Sequence, residues 1–166
     1  MKKIIGSLLI FFATINLALG QKPKASPKES VTGKINTATI SINYGSPSVK
    51  SRKIWGALVP FDKIWRAGAN EATTFETDKD LFVEGKKLPA GRYSLFIIPN
   101  EKKCIVIFNE KADQWGAYNY EEKLDQLRVE VSPNTESETT EKLLFLIEKD
   151  RVALLWSNWE IDLDIK

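Results

Sequence analysis

From residue 35 onward, apolar and polar positions alternate in short runs. Ala38, Ile40, Ile42 and Tyr44 alternate with Thr37, Thr39, Ser41 and Asn43, the period of two that marks a half-buried strand. Residues 73–77 and 81–83 are shorter candidates. Gly85-Lys86-Lys87 and Pro89-Ala90-Gly91 read as turns, the proline presetting φ. A strand over 92–98 is then ended by Pro99-Asn100. Residues 104–108 are apolar on both faces, which predicts a central strand. Residues 109–123 read as a loop with one helical turn, and Leu127, Val129 and Val131 alternate with Arg128 and Glu130. Residues 133–140 read as a polar loop. Residues 143–147 and 152–156 flank Glu148-Lys149-Asp150-Arg151 as a hairpin. Last, Trp159, Ile161, Leu163 and Ile165 alternate with Glu160, Asp162 and Asp164, giving one dry face and one acidic, solvated face. No long segment has a helical period and no internal repeat is present. Eight or nine short strands at this spacing predict an all-β, antiparallel β-sandwich, of jelly-roll or immunoglobulin-like connectivity. The pattern does not determine strand order.

The amino terminus has a different pattern. Lys2 and Lys3 precede an apolar run over 4–17, and Ala18-Leu19-Gly20 is a small-x-small site. This is the layout of a secretory signal, with cleavage expected near Gly20 and a secreted or periplasmic location. The run is shorter than the roughly 20 apolar residues of a bilayer span, and no cysteine follows it to carry a lipid anchor. Residues 21–34 hold Pro23, Pro27 and four lysines and read as a flexible polar tether, leaving 35–166 as a single domain. The whole chain carries 24 Lys+Arg against 22 Asp+Glu. Loss of Lys2 and Lys3 with the signal brings these into balance, so the mature chain has no electrostatic footprint for nucleic acid. Cys104 is the only cysteine. It permits no intrachain disulfide and reads as a buried core thiol.

The 166 residues contain no histidine. That excludes a Ser-His-Asp triad, a Cys-His pair, the HExxH zinc site and His-based iron sites. No phosphate-cradling glycine loop is present. What remains is a carboxylate pair, a Ser-Lys dyad or oxygen-ligated calcium. No cofactor and no metal are expected.

Residues 44–75 break the strand pattern. They contain YGSPSVKSRKIWGALVPF (44–61) and WRAGANEATTF (65–75), and are followed by LPAGRYSLFIIP (88–99) and QWGAYNYEEKLDQLRV (114–129). These four blocks, in this order, resemble the secreted bacterial family known as domain of unknown function 2911, over about residues 36–165. The resemblance implies a secreted or periplasmic all-β protein with no assigned activity, and it supplies no catalytic residues.

The residues of these blocks support two readings each. Trp55, Trp65, Trp115, Tyr118 and Tyr120 suit a sugar-stacking platform, because aromatic faces match the apolar faces of pyranose rings. They equally suit plugs at the ends of a sandwich core. Arg66, Asn70 and Glu71 suit a group that orients a ligand, or else an internal Arg66–Glu71 ion pair with Asn70 as a turn residue. Glu71 with Asp62, Asp113 or Asp125 is a candidate glycosidase pair. Ser46 and Ser48 near Lys50 lack the spacing of a Ser-Lys dyad. Glu160, Asp162 and Asp164 lack an EF-hand pattern.

Three functions follow. The first is a non-enzymatic domain binding a glycan or a peptide through Trp55, Trp65, Arg66, Asn70, Glu71, Trp115 and Tyr118. The second is a carboxylate-based hydrolase such as a glycosidase, with Glu71 as acid or base. The third is a structural or protein-interaction module in which these loops are core plugs.

Overall fold

The computed structural model describes residues 25–166. The expected signal segment and residues 21–24 of the expected tether lie outside the described residues. Ten strands run in order: β1 Lys28–Ile35, β2 Ala38–Gly45, β3 Thr73–Thr77, β4 Leu81–Val83, β5 Lys86–Leu88, β6 Gly91–Ile98, β7 Cys104–Asn109, β8 Asp125–Val131, β9 Asn134–Ile147 and β10 Arg151–Asp164. A 3-10 turn at Glu122–Leu124 is the one helical element among the described residues. The expected antiparallel β-sandwich is what forms.

The larger layer is a six-stranded sheet in the order β1-β2-β3-β6-β7-β8, antiparallel throughout. Consecutive strands are neighbours, with the β4–β5 hairpin set between β3 and β6. This is an up-and-down meander in place of the Greek-key crossing that jelly-roll and immunoglobulin connectivities carry. The second layer is built on the β9–β10 hairpin. On one side, residues 47–49 join β9 through Val49 N–H to Glu141 O (2.8 Å) and Leu143 N–H to Pro47 O (2.9 Å). On the other, β4 joins the end of β10, Phe82 and Lys166 exchanging both backbone hydrogen bonds at 2.8 and 2.9 Å.

The core lies between the layers. Ile40 and Ile42 of β2, Phe75 of β3, Leu95 and Ile97 of β6 and Val106 and Phe108 of β7 pack towards Leu154, Trp156, Ile161 and Leu163 of β10. Period-two alternation sends the even positions of β2 inward and leaves Ser41 and Asn43 on the outer face. β7 is apolar on both faces because both are covered. Its Ile107 lies under a second, outer cluster with Ala72 and Phe96, against which Ala117 and Tyr120 pack.

Three expectations along the chain need correction. Lys86 and Lys87 are strand residues of β5, paired with Val83 and Phe82, so the turn expected at 85–87 is made instead by Glu84 and Gly85, both at positive φ. Residues 28–34 belong to a strand, β1, registered along its whole length on β2, so the tether assignment over 21–34 fails from Lys28 onward. Residues 134–140 are the first half of β9, paired with β10 through Thr135↔Trp159 and Asn134↔Glu160, and are no loop. Both segments are exposed along most of their length. Each is held by backbone pairing to one well-buried neighbour, so no alternation of apolar side chains is needed and none is present to be read. β9 and β10 are also long, at 14 residues each.

Candidate functional site

A concave site of about 460 Å³ opens on the outer face of the large sheet. Its floor is made by residues that alternation turns away from the core: Asn43 of β2, Thr74 of β3 and Arg92 of β6. Lys28 of β1 and Glu71 stand at its sides, and Asp113, Gln114 and Trp115 form its far wall.

The wall belongs to the segment between β7 and β8, and the sequence explains why it folds over the sheet. Tyr120 packs edge-on against Phe96, ring centroids 5.1 Å apart. Its hydroxyl donates to Asp125 Oδ2 at 2.6 Å. Asn109, buried at the end of β7, donates from Nδ2 to Asp125 Oδ1 (2.8 Å) and to Glu121 O (2.9 Å). Burial and the Asp125 carboxylate push the Tyr120 phenol well above its ordinary range, so Tyr120 stays a donor to Asp125. At the other end, residues 70–72 pair with 114–116: Ala72 N–H donates to Gln114 O (2.9 Å) and Gly116 N–H to Asn70 O (3.1 Å). Gly116 has φ +64, and a Cβ there would meet the Tyr118 ring at 2.9 Å, so this turn requires glycine.

Among the described residues, the charges that line the cleft are balanced. Lys28 and Arg92 oppose Glu71 and Asp113 among the lining residues. Arg92 Nη1 lies 2.7 Å from Asp113 Oδ2, and its Nε lies 3.8 Å from Glu76. Gln114 donates from Nε2 to Ser94 Oγ (3.0 Å) and Lys111 O (2.8 Å). Its Oε1 is buried and has no donor among the described residues.

The seven residues read from the sequence divide between places. Trp55 and Trp65 are core residues, 5% and 8% exposed. Trp65 exchanges backbone hydrogen bonds with Ile97 of β6, both 2.8 Å, and Ile97 points inward, so the indole follows it. There Trp65 stacks on Trp156 at 5.9 Å, and Trp55 stacks on Trp159 at 4.5 Å. Trp115 and Tyr118 are exposed, at 54% and 86%. Glu71 and Trp115 meet at the large cleft. Arg66 instead lines a smaller cavity with Trp65 and Trp156, so Arg66 and Glu71 line different cavities. Asn70 has φ +63 and donates from Nδ2 to Ser26 O at 3.1 Å. It is the turn residue of the second reading, and it ties the start of β1 to this loop.

The other chemistry considered is accounted for by ordinary contacts. Ser46 Oγ is buried and donates to Leu143 O at 2.7 Å. Asp62 accepts from Asn100 Nδ2 at 2.8 Å. Glu160 and Asp162 hold Arg151 at 3.2 and 3.0 Å, so the acidic face of β10 is an ion-paired surface and not simply a solvated one. Cys104 is fully buried and burial pushes its thiol up.

Lys28, Asn43, Thr74, Arg92 and Gln114 were not singled out from the sequence. Alternation places Asn43, Thr74 and Arg92 on outer faces, and an asparagine inside a strand is itself unusual. Their convergence, however, depends on β3 lying between β2 and β6.

The fold and cleft define an all-β sandwich with a polar cleft beside an exposed tryptophan. The chain belongs to the family described as protein of unknown function (DUF2911), whose model matches residues 26–165. That match begins before β1, in keeping with β1 being part of the domain. No curated protein and no solved structure matches the chain.

Proposed function

We propose that the protein is an exported, non-enzymatic domain that binds a neutral glycan in the cleft beside Trp115. The exposed Trp115 indole at the edge of the cleft carries this reading. An exposed indole offers a large, flat apolar face with a polar N–H edge, the surface on which a pyranose ring can stack. The surrounding Asn43, Gln114, Arg92, Glu71 and Asp113 are planar polar groups of the kind that pair with vicinal hydroxyls. Among the described lining residues, two cations stand against two anions, which suits an uncharged ligand. A peptide is less well served, because the floor of the cleft is the face of the central strands β2, β3 and β6, whose backbones are paired on both sides. Export is supported by the signal-like pattern of residues 1–20.

The test is calorimetric titration with cello-, xylo-, manno- and chito-tetraose. Binding of at least one, weakened tenfold or more in both Trp115→Ala and Arg92→Ala, supports the reading. Failure of all four, or binding unchanged in both variants, refutes it.

One observation favours a hydrolase as second reading: Glu71 and Asp113 line the same cleft. Glycoside hydrolysis needs one carboxylic acid kept protonated by dry surroundings. Asp113 has a side chain 77% exposed and held by Arg92, which argues for binding over turnover. Release of shorter sugars by wild type, lost in Glu71→Gln, would reverse that choice.

A further inference from the structure

Arg66 has no part in the cleft beside Trp115. It lines a separate cavity of about 220 Å³ with Arg52, Trp65, Trp156, Leu58 and Val59. The chemistry of this cavity is one-sided. Among the described residues, two guanidinium groups line it and no carboxylate does. Arg66 Nε is buried without an acceptor, and so is Trp156 Nε1, on a side chain only 1% exposed. Buried N–H donors in folded proteins are nearly always paired, and a charged one is the most costly to leave unpaired. Arg52 is already oriented, its Nε donating to Val49 O at 3.0 Å and its Nη2 to Ser48 O. Trp65 Nε1 is spent on Gly68 O at 3.2 Å. Of this lining, Arg66 Nε and Trp156 Nε1 are buried donors with no acceptor among the described residues. Desolvation pulls the Arg66 pKa below its ordinary value, with Tyr118 acting in the opposite direction, as expected for a cation without a full set of acceptors.

We propose that this cavity binds a carboxylate carried on a short apolar stem, with the Arg66 guanidinium as its cationic partner, Leu58, Val59 and Trp65 against the stem, and the Trp156 indole in the cavity lining as the reporter of occupancy. A planar fork of N–H groups matches a planar carboxylate better than a tetrahedral oxyanion. The volume holds on the order of seven waters at liquid density, room for a small acid or the last residue of a peptide and for little more. The site is independent of the glycan cleft, so failure of either leaves the other standing.

The test uses the full chain and two-dimensional NMR of the indole N–H signals, with the Trp156 signal assigned from Trp156→Phe. Probes are butyrate, its neutral isostere butyramide, inorganic phosphate, and an Ala-Leu-Val tripeptide with free or amidated carboxyl terminus. Butyrate or the free-acid tripeptide is expected to shift the Trp156 signal while both amides leave it in place. The stronger of the two identifies the source as a small acid or a peptide terminus. Arg66→Gln is expected to weaken binding at least tenfold, with Arg66→Lys intermediate. The proposal is overturned if neither carboxylate shifts the signal at 50 mM, if the amides act equally, or if phosphate binds more tightly than both. It is also overturned if Arg66→Gln folds and binds as wild type does. Should that variant not fold, the comparison of acids with amides in wild type still decides.

Discussion

Trp55 and Trp115 are the same residue type in similar sequence settings, each followed by glycine, and their environments are opposite. Trp55 is stacked between layers on Trp159 and meets Trp65 and Trp156 edge-on, whereas Trp115 stands at the cleft. Trp55→Ala is expected to cost about 3–5 kcal/mol by cavity formation. Trp115→Ala should change stability by no more than about 0.5 kcal/mol. Urea unfolding of the two variants checks this, and equal losses would contradict the assignment. Gly45 is the other residue whose identity follows from contact. A Cβ there would lie 2.1 Å from Ala69 O, where the backbone of the loop crosses the end of β2 and Ala69 N–H donates to Gly45 O at 3.1 Å. Gly45→Ala is expected to destabilise by at least about 2 kcal/mol, read by the same unfolding experiment. A neutral substitution would mean that the loop is free to move away.

At the scale of elements, strands with one dry face were legible in the sequence. β2, β8 and the end of β10 alternate as expected, and β7 was recognisable as central because both its faces are apolar. β1 and the first half of β9 were not, because exposed strands at the margins are held by backbone pairing and leave no periodic trace. The candidate site was legible in part for a similar reason. Trp115 and Glu71 stood out as residue types, but the partition of the aromatic set into core and surface depends on pairings such as Trp65 with Ile97 and Glu71 with Trp115, and these join segments distant in sequence. The segment bearing Trp115 depends on one polar anchor, Tyr120 on Asp125 with Asn109 behind it. Tyr120→Phe is expected to cost about 1–2 kcal/mol and to speed amide exchange across residues 110–120 while leaving β6 and β7 protected. Unchanged exchange there would show that packing on Phe96 alone holds the segment.

The whole molecule lacks histidine, so no side chain with an ordinary pKa titrates between about pH 5 and 8. Its acid limit is set by surface carboxylates. Asp78 is held below its ordinary range by the Thr39 N–H, Asp80 by Lys87, Glu121 by Lys123, Glu130 by Lys103 and Glu148 by Arg151. A depressed carboxylate contributes stability that is complete above its unfolded value and is lost as pH falls through the folded one. With ordinary values of 3.8 for aspartate and 4.5 for glutamate, the melting temperature is expected to be flat from about pH 6 to 8 and to fall progressively below about pH 4.5. Glu160, raised by burial and then by Asp162, runs the other way: its contribution is present at low pH and lost as pH rises through its folded value. Calorimetry across this range checks the account, and a steep change centred near pH 6.5 would contradict it.

The central claim is that the outer face of the large sheet binds sugar beside Trp115 while the other tryptophans are structural. The most direct measurement is the set of indole N–H signals of the five tryptophans, assigned by substitution and followed while the tetraoses are added. The account expects the Trp115 signal to move saturably with at least one sugar and those of Trp55, Trp65, Trp156 and Trp159 to stay in place. A sugar that moves the core signals and leaves Trp115 still, or a panel that moves none, would contradict it.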